Sequence, residues 1–236
     1  MKFQRRINFK TVESTQSVAR KIDRKTPTVI WAEEQTGGQG RAGRSWFSPK
    51  GGVWISLMIP HPREERINHF VTMVGALSVV RLLEKIGVTS NVRWPNDIVI
   101  NGRKVAGILG EYYQSAILCG IGINVNIYHF PKWIGPATSL ALELDKTLDI
   151  DSIREEIIKI FEQTFLRFEQ SGGKTIIKLI KPHFTSSGDV VTINYGKTKI
   201  SGIVHDYDEE GALILRTETD RLIKIYSGEL RRVHWF

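Results

Sequence analysis

The densest chemistry in this 236-residue chain lies in one stretch, Gln35-Thr36-Gly37-Gly38-Gln39-Gly40-Arg41-Ala42-Gly43-Arg44-Ser45-Trp46. Its glycines let backbone N–H groups approach an anion closely. Its arginine forks match carboxylate and phosphate oxygens, and its tryptophan offers a flat face to a base. No Lys-Ser/Thr pair follows the glycines, so the stretch is not a Walker loop. Taken alone it fits a nucleotide-type ligand, an RNA-binding segment or a plain surface loop.

Three further segments add to it. Arg93-Trp94-Pro95-Asn96-Asp97 carries a proline that ends one strand and turns the chain, leaving Asn96 and Asp97 at a strand end. That position suits ligand-facing groups and also ordinary turn chemistry. Gly102-Arg103-Lys104-Val105-Ala106-Gly107-Ile108-Leu109-Gly110-Glu111 and Gly120-Ile121-Gly122-Ile123-Asn124 read as strands interrupted by glycine. Glycine inside a strand marks close approach by a ligand or another backbone. Two such strands side by side form a shallow slot that a flat bicyclic molecule would fit.

The elements that must position these segments follow from periodicity. Alternating or β-branched runs predict strands at Val29–Glu34, Val53–Ile59, Val92–Trp94, Ile98–Ile100, Val105–Tyr113 and Ala116–Val125. Asn101-Gly102 between two of them predicts a hairpin, because both residues tolerate positive φ. Helices are expected at Thr15–Ile22, Asn68–Ile86 and Ser152–Phe168, the last opened by a Ser152/Glu155 capping box, with one more short helix after Gly172-Gly173. Beyond it, Val190–Asn194, Lys199–Tyr207, Leu213–Arg216 and Leu222–Tyr226 read as short strands. The expectation is an α+β mixed-sheet catalytic domain over residues 1–187 and a small SH3-like β-barrel over 188–236.

Composition narrows the class. The chain is 41% apolar and 25% charged with no apolar run long enough for a membrane span and no signal-peptide pattern. A single Cys119 excludes an internal disulfide framework and suits a reducing, cytoplasmic compartment. It falls in an apolar strand and reads as core. Trp31, Trp54, Trp133 and Trp235 read as packing residues, and the six histidines lack metal-ligand spacing. The net charge of +8 favours anionic partners, but its scatter along the sequence names none.

Six motifs in order carry a resemblance: Glu13-Ser14-Thr15-Gln16, the loop ending Arg44-Ser45-Trp46, Arg93–Asp97, Arg103–Glu111, Gly120–Asn124, and Ser227-Gly228-Glu229. Over essentially its whole length the chain resembles the biotin–protein ligases, in the form without an N-terminal DNA-binding domain. Because Ser14-Thr15 comes so early in this sequence, no such domain is expected. The resemblance implies formation of biotinyl-5'-AMP from biotin and ATP with Mg²⁺ present. Transfer to a lysine of a biotin carboxyl carrier protein follows. It implies that Ser14, Thr15 and Gln35 bind the ureido head, that Gly38 also contacts biotin, and that Gly107, Gly120 and Gly122 line the slot. Arg41 and Lys104 are expected at the carboxylate and α-phosphate. Arg44, Trp46, Asn96, Asn124 and Arg231 are expected on ATP, with Trp46 against adenine and Asn124 toward the triphosphate or its metal. Asp97 is expected to hold the incoming lysine or accept its proton. A homodimer is expected; a specific nucleic-acid partner, membrane association and a protein-held metal are not.

The sequence departs from the family pattern twice. The loop commonly reads Gly-Arg-Gly-Arg, and Gln39 stands at the first arginine. Arg93 stands where lysine is common, trading a point charge for a planar fork. The nearest alternative is a lipoyl- or octanoyl-attaching enzyme of the same fold, whose octanoyl-transferring members need a cysteine nucleophile that Cys119 is poorly sited to provide. A DNA-binding regulator is the alternative suggested by charge.

Overall fold

The apolar run Gly52–Pro60 is the middle of a sheet, which explains why it reads as almost continuously hydrophobic. A computed structural model describes residues 1–61, 67–184, 188–195, 198–226 and 228–232. The larger sheet contains β1 (Arg5–Val12), β2 (Thr28–Gln35), β3 (Gly52–Pro60), β4 (Asn91–Arg93), β5 (Asp97–Ile100), β6 (Arg103–Tyr112) and β7 (Ala116–Asn124). Their spatial order is β1-β2-β3-β7-β6-β5-β4, with β1 parallel to β2 and the other pairs antiparallel. The sheet is therefore mixed, as expected.

Strand alternation divides its side chains between two faces. Val53, Ile55, Leu57 and Ile59 enter the main core with α2 (Ile67–Lys85) and α4 (Ile150–Ile180). Helix α2 lies against both the sheet and α4, and its buried residues point in all directions, from Val71 and Met73 to Leu82 and Leu83. Such a helix shows little amphipathic character because every side finds apolar cover. Gly75 permits its close approach: a Cβ there would lie 2.8 Å from Ile108 Cγ2 and 3.0 Å from Cys119 Sγ. The opposite face carries α1 (Thr15–Lys21), which packs on β2, β3 and β7.

The expected hairpin is present. Asn101 and Gly102 both have positive φ, 51° and 75°, where β5 turns into β6. The expected capping box is corrected: α4 starts one turn earlier, with Asp149 as its N-cap accepting from Asp151 N–H at 3.1 Å. Ser152 instead donates to Asp149 Oδ2. The helix breaks at Gly172, φ 75°, which agrees with a further short helix beyond the glycine pair. Strands β1 and β12 and the short helix α3 (Leu140–Leu144) were not anticipated.

The C-terminal part is a five-stranded antiparallel sheet of β8 (Val190–Tyr195), β9 (Thr198–Tyr207), β10 (Leu213–Arg216), β11 (Leu222–Ile225) and β12 (Glu229–Arg232), ordered β11-β10-β9-β8-β12. The boundary expected near residue 187 falls outside the described residues. This unit docks on the first: Phe184 stacks on Tyr207 with centroids 4.1 Å apart, and Trp94 Nε1 donates to Gly211 O at 3.0 Å. No helix among the described residues is long and apolar enough to cross a membrane.

Candidate active site

The glycine-spaced strands are neighbours, and their glycines meet. Gly107 on β6 pairs with Gly122 on β7, and Gly120 pairs with Leu109. Together they floor a cavity of about 480 Å³ on the face that carries α1. A Cβ on Gly122 would stand 2.5 Å from Trp46 Nε1, and one on Gly107 2.9 Å from the same ring. The Trp46 indole therefore rests on bare backbone, edge-on to Trp54 at 6.5 Å. Any side chain at either glycine would displace it.

One end of the floor is polar. Thr15 sits in the first turn of α1, where Ser14 caps the helix by accepting from Ser17 N–H at 3.4 Å. Thr15 N–H and Oγ1 both reach Gln35 Oε1, at 2.8 and 3.0 Å. Thr15 Oγ1 also lies 2.9 Å from Ser56 Oγ, which is 2.8 Å from Gln16 Oε1. The amide orientations are fixed from outside: Gln35 Nε2 donates to Ser48 Oγ at 2.8 Å and Gln16 Nε2 to Glu111 Oε2 at 2.9 Å. Three hydroxyl contacts (Thr15–Gln35, Thr15–Ser56, Ser56–Gln16) thus share two hydroxyl protons. The cluster is rich in acceptors and short of donors, which suits a ligand that brings N–H groups.

The other end is cationic. Lys104 Nζ lies 2.6 Å from Asp97 Oδ1 and 4.6 Å from the Trp46 ring centroid. Arg93 Nη2 holds the second oxygen, Asp97 Oδ2, at 3.0 Å. Burial pushes the Asp97 carboxyl up, but Lys104 and Arg93 outweigh it and leave its pKa lowered. Burial likewise lowers Lys104, with Asp97 partly restoring it. Arg41 Nη1 donates to Asn96 Oδ1 at 3.2 Å and to Gly228 O of the C-terminal unit at 3.4 Å. Burial, then the charge of Arg44, lowers Arg41, and Asp97 opposes both. Four cationic groups in one corner, Lys104, Arg93, Arg41 and Arg44, against the carboxylate of Asp97, leave net positive charge for an anion.

Of the expected site residues, Ser14, Thr15, Gln35, Arg41, Arg44, Trp46, Asn96, Lys104, Gly107, Gly120, Gly122 and Asn124 all line this cavity. Gly38 does not. It lies at the base of the loop, where a Cβ would meet Trp46 O at 2.4 Å and Ser48 Oγ at 2.5 Å, and its carbonyl accepts from Trp46 N–H. Its smallness closes the loop's neck and does not line the floor. Asp97 is also behind the lining. Both of its carboxylate oxygens are ion-paired, to Lys104 and Arg93, and its pKa is lowered, which places it to hold Lys104. Asn124 donates to Thr138 O at 2.9 Å and to Lys104 O at 3.4 Å, tying down the backbone beneath Lys104. Arg231 lies on β12, opposite Thr192, and its side chain is outside the described residues.

Three features were missed. Gln16 and Ser56 are buried members of the polar end. Trp133, read as packing, is 67% exposed; with Phe130 and Ile134 it forms the cavity's outer wall, edge-on to Phe47. Trp54 is buried and Trp31 half-buried, as a packing role requires, while residue 235 is not described. Cys119 points to the core, with Sγ 3.9 Å from Val71 O of α2, and burial pushes its thiol pKa up. Among the described residues no group of three His, Cys, Asp or Glu is placed to hold a metal ion.

The comparisons agree with this geometry. Residues 8–127 match the Biotin/lipoate A/B protein ligase family and residues 186–230 the Biotin protein ligase C terminal domain. The bifunctional ligase/repressor BirA of Bacillus subtilis is 34% identical over 239 residues, spanning 93% of this chain and 71% of that protein. The biotin–[acetyl-CoA-carboxylase] ligase of Paracoccus denitrificans is 26% identical, over 89% of this chain and 94% of the relative. A solved structure of the Aquifex aeolicus biotin protein ligase, in complex with biotin and ATP, superposes with a TM-score of 0.89 at 30% identity. It covers 98% of this chain and all of that one. Sequence, fold and comparisons together assign the chain to the biotin protein ligase family.

Proposed function

We propose that this chain joins biotin to ATP as biotinyl-5'-AMP and passes the biotinyl group to a lysine of a biotin carboxyl carrier protein. The observation that carries the reading is the glycine-floored slot with opposite ends: acceptor-rich at Thr15, Gln35, Ser56 and Gln16, cationic at Lys104 and Arg41. Biotin has the complementary shape, a flat bicyclic ureido head bearing two N–H donors and, at the end of an aliphatic chain, a carboxylate. In this reading Ser14 acts by capping α1 and so fixing Thr15 and Gln16.

In the first step a biotin carboxylate oxygen attacks the α-phosphorus of ATP, and the bond to the bridging oxygen breaks to release pyrophosphate. Lys104, with Asp97 and Arg93 setting its position, neutralises the charge that builds on the α-phosphoryl oxygens. Arg41, steadied by Asn96, and Arg44 hold the leaving phosphates. Mg²⁺ would come as a counterion of the triphosphate, since no carboxylate is among the described residues lining the cavity. Adenine packs against the aromatic wall of Phe130, Trp133 and Trp46. In the second step the acceptor amine attacks the biotinyl carbonyl, AMP leaves, and the amine's proton passes to solvent. Trp46 Nε1 is buried with no hydrogen-bond partner among the described residues, and an unpaired donor of that kind costs about 1–3 kcal/mol. The indole thus has reason to shift when a ligand takes its place on the glycines, carrying the loop with it as a lid over the reactive anhydride.

Cytoplasmic location and a homodimer belong to the same proposal; sedimentation with and without biotin plus ATP tests the second. The test of the activity is to incubate the chain with ATP, an acceptor domain and labelled biotin, or labelled lipoate in parallel. Label transfer from biotin supports the reading. Transfer from lipoate alone would replace it with the lipoate branch of the fold, and a thiol-linked acyl intermediate would require Cys119 to leave the core.

A further inference from the structure

We infer that Arg20 is a positioning residue that ties the polar floor of the pocket to the glycine loop, through the glutamine that stands where the family commonly has arginine. The inference rests on the ligase reading. Arg20, in the last turn of α1, sends Nη1 to Gln39 Oε1 at 2.9 Å and Nη2 to both oxygens of Glu111, at 2.8 and 2.7 Å. Glu111 in turn accepts from Gln16 Nε2 at 2.9 Å, and Gln39 Nε2 donates to Ser17 Oγ at 3.1 Å. A continuous set of bonds therefore runs from the amide beneath the slot to the near arm of the loop.

The chemistry explains Gln39. A guanidinium at position 39 would sit against the Arg20 guanidinium, and like charges at that spacing repel. An amide can do both jobs at once, accepting from Arg20 and donating to Ser17. The cation that the loop lacks is supplied from the helix. Because Gln39 precedes the hook in which Gly40 N–H bonds Arg44 O at 2.7 Å, the latch fixes the near arm and leaves the arc beyond it to open and close.

The experiment compares Gln39→Ala, Gln39→Glu, Gln39→Arg, Arg20→Ala and the double variant Arg20→Ala/Gln39→Arg. The readouts are protease nicking within residues 39–46 without ligand, biotin KM, kcat and the thermal midpoint. Gln39→Ala should raise nicking and raise biotin KM about tenfold, the loss of one charge-assisted hydrogen bond, with kcat and the thermal midpoint nearly unchanged. Gln39→Glu, which still accepts from Arg20, should restore both. Gln39→Arg should be worse than Gln39→Ala, and removing Arg20 in the double variant should relieve it. A Gln39→Arg enzyme at least as good as wild type, or strictly additive single and double variants, would overturn the inference, as would a fall in thermal midpoint that tracks the KM change. If the wild-type chain attached no biotin, the ligase reading would fall. The nicking series, which needs no ligand, would still decide the latch.

Discussion

Replacing Lys104 with alanine has two consequences that can be separated. The ammonium lies 2.6 Å from Asp97 and is aimed at the cationic end of the slot. Losing one preorganised charge at a site of developing negative charge costs about 3–4 kcal/mol, or roughly 100- to 1000-fold in rate. The cost to folding should be smaller. Asp97 keeps Arg93 at 3.0 Å, so its carboxylate is not orphaned, and the pair is only partly enclosed. We therefore expect about 1–2 kcal/mol, below the roughly 3–5 kcal/mol of a fully buried pair broken on one side. Adding Asp97→Asn should cost a little more stability, because it breaks the remaining Arg93 ion pair, and leave activity lost. Pyrophosphate release from biotin and ATP measures the first effect, and thermal melts measure the second. Supplying preformed biotinyl-adenylate should restore much of the transfer to acceptor, since that step bypasses the damaged chemistry. Pyrophosphate release within about threefold of wild type, a barrier change under about 1 kcal/mol, would remove Lys104 from the reaction.

Three other outcomes follow from the same geometry. Gly75→Ala brings a Cβ to 2.8 Å from Ile108 and 3.0 Å from Cys119; overpacking of about 1–3 kcal/mol should outweigh about 1 kcal/mol of helix propensity, lowering the thermal midpoint. Asp97 has its carboxyl lowered by folding, so its contribution is present above the ordinary carboxylate pKa of about 3.9 and is lost as pH falls below it. Asp97→Asn should therefore flatten the acid limb of a stability–pH curve, and an unchanged limb would contradict the ion-pair reading. With a net charge of +8, encounter with an acidic carrier domain should be steered by charge, so added salt should slow transfer more than adenylation. Equal salt dependence would assign the charge another purpose.

What the sequence disclosed was local, and what it hid was long-range. Asn101-Gly102 announces its turn because two adjacent residues that accept positive φ leave few alternatives. Gly107, Gly120 and Gly122 announce the slot because alternate glycines in an apolar strand have few other uses. The N-cap of α4 was misplaced because Asp149/Ser152 and Ser152/Glu155 share one spacing, and the burial of Ile153 and Ile157 decides between them only in three dimensions. Strand β1 is half exposed, so Ile7 and Phe9 give a weak period between basic residues. Trp133 looked like core because large aromatics commonly are. Gln16, Arg20 and Glu111 become partners only across separations of up to 95 residues, which no local pattern encodes.

The backbone around Lys104 also bears on engineering. Lys104 N–H bonds Pro136 O and its carbonyl accepts from Thr138 N–H, each at 3.0 Å, so the segment carrying Phe130, Trp133 and Ile134 is clamped at its far end to the strand of Lys104. Its near end is held as well, where Asn126 N–H bonds Gly51 O. A segment fixed at both ends and exposed between them behaves as a cassette. In the proposed reading, in which adenine packs against this segment, exchanging its length and aromatics should admit modified nucleobases while the two clamps keep the register of Lys104 constant. The same chain could then be paired with a nucleotide analogue that cellular enzymes ignore, giving a labelling reaction switched on by adding that analogue.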